Sequence, residues 1–163
     1  MLSVRCLFRN AKRYFANMSH LVFHEVEGDL FTAPKDYALA HCVASDLKMG
    51  AGIAVAFRDK YGRIDELKKQ NVKTGGVAVL EDQGRFIYYL ITKTSTYQKP
   101  TYASLFESLH SMKDHMKKHD VNKLAIPRIG CGLDGLKWDK VKDQLIEVFA
   151  DGPFEIVVYT YKR

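Results

Sequence analysis

From Leu21 onward, short runs rich in β-branched and aromatic residues alternate with stretches of helical period, and this rhythm constrains the fold more than any other property of the chain. Strands are expected over 21–26, 37–43, 76–80, 86–92, 123–127 and 155–160. Helices are expected over 51–60, 64–71, 102–118 and 138–150. Strands alternating with helices specify an α/β domain in which a six-stranded sheet lies between two helical layers. The runs around Val77 and Ile87 are separated only by Glu81-Asp82-Gln83-Gly84-Arg85. That is too short for a helical crossover, so this pair reads as an antiparallel hairpin in an otherwise mostly parallel, mixed sheet.

With 163 residues, 47% of them apolar, the chain suits one domain with its own core. No apolar run approaches the roughly 20 residues needed to cross a bilayer, so no membrane role is expected. Cys6, Cys42 and Cys131 are too few and too scattered for a disulfide framework, and none forms the paired spacing of a zinc site. Cys131 lies between two glycines, but no Cys/His arrangement recommends it as a nucleophile. No feature calls for an oligomer, and a monomer is expected.

The formal charge of +6 would suggest a nucleic-acid partner if it were spread along the chain. Four of the cations, Arg5, Arg9, Lys12 and Arg13, precede the first acidic residue, Glu25. The remaining Lys and Arg are interspersed with Asp and Glu along predicted helices, as solvated faces are. The same four cations line one side of a helical wheel whose other side carries Val4, Leu7, Phe8, Ala11 and Phe15. Residues 1–19 therefore read as a leader of mitochondrial transit type, with Arg13-Tyr14-Phe15-Ala16 placed as a matrix cleavage site would be. Residues 20–163 form the domain.

In open α/β sheets, ligands sit beyond the carboxyl ends of the parallel strands. Three segments there stand out: Gly28-Asp29-Leu30, Met49-Gly50-Ala51-Gly52 and Gly130-Cys131-Gly132-Leu133-Asp134-Gly135. Glycines between strand and helix let backbone N–H groups converge on an anion, and two such loops suit a diphosphate. Neither has the Walker A or Rossmann spacing.

Several stretches in order carry a more specific signal: Val26-Glu27-Gly28-Asp29-Leu30-Phe31, Lys48-Met49-Gly50-Ala51-Gly52-Ile53-Ala54, Tyr88-Tyr89-Leu90-Ile91-Thr92-Lys93, Lys99-Pro100-Thr101-Tyr102 and Ile126-Pro127-Arg128-Ile129-Gly130-Cys131-Gly132-Leu133-Asp134. From about Leu21 to Tyr161 the chain resembles the macrodomain family, and within it the terminal ADP-ribose protein glycohydrolase branch, which also deacylates O-acyl-ADP-ribose. The resemblance implies a three-layer α/β/α fold around a mixed six-stranded sheet, with ADP-ribose and mono-ADP-ribosylated proteins as partners and no metal or cofactor. ADP-ribosylated nucleic-acid ends are a further substrate class, and an ADP-ribose reader without turnover is the alternative function. The nuclear and cytosolic setting usual for that branch competes with the mitochondrial reading of the leader.

The resemblance also implies roles. Asp29, with Leu30 beside it, would hold the adenine. Gly50 and Gly52 would fit the distal ribose and phosphates, and Arg128, Ile129, Gly130, Cys131, Gly132 and Leu133 would wrap the diphosphate. Tyr161 stands where the family places an aliphatic ligand contact. Lys93 would react with the distal ribose carbon, and Asp134 would assist and resolve the adduct. Taken alone, Lys93 reads as a solvated lysine at a strand end and Asp134 as a turn residue; the matched context reverses both. Ala44 departs from the branch, which carries a serine there, and Ser45 follows it. His41, inside an apolar strand, is expected to be packed and hydrogen-bonded rather than catalytic. His110, His115 and His119 lack the companions of a metal site.

Overall fold

The apolar runs become buried on both faces because strand side chains alternate. In β4 (Arg85–Lys93), Tyr88 and Leu90 point into one core, and Ile87, Tyr89 and Ile91 into the other. The computed structural model describes residues 20–161, so the leader and its targeting signal lie outside the described residues. The remaining strands are β1 (Val22–Glu27), β2 (Ala38–Ala44), β3 (Val77–Asp82), β5 (Lys123–Ile126) and β6 (Glu155–Thr160). Their order is β1-β6-β5-β2-β4-β3, and all neighbours are parallel except β3 with β4. One face is covered by α3 (Tyr102–Lys118) and α4 (Trp138–Phe149), through Leu105, Leu109, Met112, Leu145 and Phe149. The other is covered by α1 (Ile53–Tyr61) and α2 (Ile64–Lys69), through Phe57 and Leu67. This is the three-layer, mostly parallel architecture expected from the sequence.

Where boundaries differ from the periodicity, local chemistry explains it. The hairpin turn is two residues, not five. Gln83 and Gly84 both have positive φ (49° and 81°), as a type I′ turn requires, so pairing extends from Asp82↔Arg85 inward. Helix α2 stops at Lys69, and Asn71 adopts φ 49° just beyond it. Strand β5 stops at Ile126 because Pro127 has no N–H to donate.

Helix α3 fixes the end of β4. Thr101 and Ser104 form a reciprocal capping box. The Ser104 hydroxyl donates to the Thr92 carbonyl (2.6 Å) and the Ser108 hydroxyl to the Ile91 carbonyl (3.1 Å). These bonds seat the helix on the last residues before Lys93.

His41 is packed as expected but not hydrogen-bonded. It is fully buried, stacked on Phe57 at 3.8 Å between centroids, and neither ring nitrogen has a partner among the described residues. Burial pushes its pKa down to about 3, against about 6.5 in an unfolded chain. Between these values the unfolded state holds a proton that the folded state does not. Stability is therefore full above about pH 6.5 and falls as the pH drops toward 3, by up to ~1.4 kcal/mol per pH unit. Urea unfolding of wild type and His41→Phe at roughly pH 7 and pH 5 will show the variant losing ~1–2 kcal/mol less over that interval. Equal losses would mean that His41 is protonated in the folded protein.

Candidate functional site

Strands β2, β4 and β5 run parallel, so their carboxyl ends open on one edge and the loops 45–52, 94–101 and 127–137 meet there. A register shift between Val43 and Ala44 sets Ala44 opposite Lys93, and the Ser45 N–H donates to the Lys93 carbonyl (2.9 Å). Lys93 is the first charged residue to leave β4 after the buried run 87–92.

The Lys93 Nζ donates to Asp134 Oδ1 at 2.6 Å, from two side chains that are only 14% and 16% exposed. An ammonium and a carboxylate that close, partly withdrawn from water, are each other's proton donor and acceptor. Nearby, Lys99 Nζ donates to the Leu133 carbonyl, tying loop 94–101 to loop 127–137.

Two glycine loops surround this pair. Gly130 has φ 70°, and a side chain there would meet Leu136 at 2.9 Å. The turn closes on itself through Leu136 N–H to Gly130 O (2.8 Å) and Gly135 N–H to Gly132 O (3.1 Å). The intervening N–H groups of Gly132, Leu133 and Asp134 donate to no carbonyl among the described residues. Across the cleft, Gly52 (φ 63°) caps α1 with no side-chain hydrogen bond, leaving that helix N-terminus open. A Cβ on Gly52 would lie 3.8 Å from Leu133 Cδ1, so the two loops face each other directly. Unused N–H groups and an uncapped helix start form an anion cradle built from backbone.

The other sequence-predicted residues divide between cleft and scaffold. Asp29 is exposed beyond β1 and its carboxylate accepts from the Phe31 N–H (2.9 Å). Leu30 and Ile129 are buried, 3% and 2% exposed, so only their backbone can face a ligand. Gly50 lies open in its loop. Ala44 is buried, and the Ser45 hydroxyl donates to the Thr94 carbonyl (2.7 Å), so it is committed to the neighbouring loop. The Arg128 guanidinium packs over Trp138 (5.6 Å) and sits 3.9 Å from Glu25, directed at α4 and β1. Burial pushes the Cys131 thiol up to about 11, against the pull of Arg128, and it donates to the Ile129 carbonyl. A thiol that holds its proton is a poor nucleophile. Tyr161 is exposed beyond β6. Far from this edge, His115 and His119 stack on each other (3.9 Å), and His115 shares a hydrogen bond with the Tyr88 hydroxyl (2.8 Å).

Sequence reasoning passed over Asp46. Leu47 (φ 52°) and Met49 (φ 46°), both buried, occupy the left-handed region that bulky residues avoid. Asp46 holds this strained loop in place: its carboxylate accepts from Thr96 N–H and Thr96 hydroxyl, each at 2.8 Å, and from Lys48 N–H at 3.2 Å. Burial opposes its ionisation, but these donors hold its carboxyl below the ordinary range. The only signal in the sequence was an isolated Ser-Asp pair after a strand.

Residues 40–145 match the family model described as Macro domain. ADP-ribose glycohydrolase OARD1 of Homo sapiens is 53% identical over 135 residues, covering 83% of this chain and 89% of that protein. The protein of the same name from Bos taurus is 51% identical over the same shares. The macrodomain of Thermus aquaticus DarG has a TM-score of 0.76 at 24% identity, covering 86% of this chain and 99% of that one; this likeness speaks for the fold alone.

Replacing Asp46 by Ala orphans donors on two loops. The expected result is a loss of ~1–3 kcal/mol in urea unfolding, with faster amide exchange confined to residues 45–49 and 94–98. Unchanged exchange there would show that the strained loop is held by its buried side chains alone.

Proposed function

This chain belongs to the macrodomain family, and we propose that within it the protein is an ADP-ribose glycohydrolase that releases ADP-ribose from Glu- or Asp-linked proteins and deacylates O-acyl-ADP-ribose. The observation that carries this reading is the 2.6 Å Lys93–Asp134 pair at the junction of the two glycine loops. A protein that only binds ADP-ribose has no use for a semi-buried amine and carboxylate at that point. The relatives named ADP-ribose glycohydrolase, identical at about half of the aligned positions, support the same reading.

The diphosphate sits on the backbone cradle of Gly132, Leu133 and Asp134 and the open start of α1, with the distal ribose toward Lys93. Asp134 takes a proton from the Lys93 ammonium. The freed amine bonds to C1 of the distal ribose as the modified carboxylate leaves with the proton that Asp134 returns. Asp134 then takes a proton from water, whose oxygen replaces nitrogen at C1, and passes it to the departing amine. One water is consumed, and Lys93 and Asp134 return to their starting states.

Lys93→Ala and Asp134→Ala will each lower release of ADP-ribose from a glutamate-linked substrate by at least about a hundredfold, while calorimetric affinity for ADP-ribose stays within a few-fold. Wild-type binding with no release would overturn the enzyme in favour of a reader. A second expectation concerns Ala44. Because Ser45 is engaged with Thr94, no hydroxyl replaces the missing serine, and Ala44→Ser will tighten ADP-ribose binding by up to about fivefold, the value of ~1 kcal/mol for one hydrogen bond. Unchanged calorimetric affinity would place that position away from the ribose.

A further inference from the structure

The turn after β4 presents an aromatic ring to solvent in a way that the fold does not use. Tyr97 is 87% exposed, four residues beyond Lys93. Exposed apolar side chains are ordinary when they stand alone on mobile segments, but this turn is tightly held. Gln98 N–H donates to the Ser95 carbonyl (3.0 Å), Tyr97 N–H to the Ser95 hydroxyl (3.2 Å), and Thr94 N–H to Gln98 Oε1 (3.2 Å). Thr96 is clamped to Asp46. The clamp joins the turn to loop 45–52, and from that loop Lys48 extends its ammonium over the Tyr97 ring, 5.2 Å from the centroid. Ring and cation therefore form one preorganised, solvent-facing pair beside the reacting lysine, at the end of the cleft opposite Asp29.

Given the hydrolase reading above, C1 of the distal ribose lies at the Lys93–Asp134 pair, and the peptide attached there reaches the loops that frame this pair, of which this turn is one. We infer that Tyr97 and Lys48 form the acceptor subsite: Tyr97 packs against the backbone and side chains of the peptide that bears the modified carboxylate, and Lys48 attracts acidic neighbours in that peptide. A rigid aromatic with an ammonium beside it suits a short acidic peptide, giving contact area at low entropic cost and charge complementarity. A nucleic-acid strand would instead need a track of cations along its phosphates. Here the two loops that carry the pair, 45–52 and 94–101, hold only Lys48 and Lys99 as cations.

The test compares two esters on the full chain: a mono-ADP-ribosylated acidic peptide linked through glutamate, and O-acetyl-ADP-ribose, which has no peptide. Tyr97→Ala and Lys48→Gln are expected to lower kcat/KM on the peptide by roughly three- to tenfold. Turnover of the acetyl ester and affinity for free ADP-ribose should remain unchanged, and Tyr97→Phe should restore most of the loss. Equal losses on both esters, no loss on the peptide, or a loss seen only with an ADP-ribosylated oligonucleotide would overturn the acceptor subsite. If the wild type turns over neither ester, the hydrolase reading fails, and the subsite is judged by binding alone. It then requires the ADP-ribosylated peptide to bind wild type more tightly than ADP-ribose, with Tyr97→Ala erasing the difference.

Discussion

Strands β2 and β4 are covered on both faces, and from Ile87 to Thr92 no residue of β4 is more than 2% exposed. A segment so enclosed has only its ends available for polar chemistry. The site follows from that restriction, because Lys93 is where β4 emerges and the register shift at Val43/Ala44 turns the neighbouring strand away at the same level. The hydroxyls of Ser104 and Ser108 then spend their hydrogen bonds on the last carbonyls of β4. A shift of β4 by one residue would exchange the two cores and withdraw Lys93 together. The position of the Lys93 amine is thus held by the packing of the whole sheet.

Charge is used sparingly at this edge. The lysine and aspartate offset each other, and Arg128, the cation best placed by sequence to meet a diphosphate, is turned toward Trp138 and Glu25. On the proposed reading, the negative charge of a ligand is left to backbone N–H groups and a helix start, which are fixed in direction and cannot be deprotonated. Recognition built this way responds less to ionic strength than a lysine-lined groove does, because partly enclosed dipoles are screened less than exposed charges.

Much of this was legible beforehand, and what was not has identifiable causes. Periodicity placed the six strands and four α-helices of the described residues, since both depend on which side chains face the core, but not the short 3-10 turn Leu30–Thr32. The glycine loops were legible because glycine marks backbone that must approach a ligand or turn tightly. The roles of Lys93 and Asp134 came from resemblance, because a lysine at a strand end carries no local signature of its partner 41 residues away. Asp46 was illegible for the same reason: Thr96, which gives it two donors, is one loop over, 50 residues distant in sequence. Sequence left open whether Ser45 replaces the missing serine at Ala44, and its bond to Thr94 shows that its hydroxyl is already used. His41 was correctly placed in the core, but the hydrogen bonding expected of it is not found, since neither ring nitrogen has a partner among the described residues.

The strand order has a consequence for how the chain is made. Among the described residues, strand β1 has a single neighbour, β6, which is the last of these strands to be synthesised and the only link between β1 and β5. Until Glu155–Thr160 leaves the ribosome, Val22–Glu27 has no described edge to join. A frameshift or truncation that removes Glu155–Thr160 costs the sheet two strands.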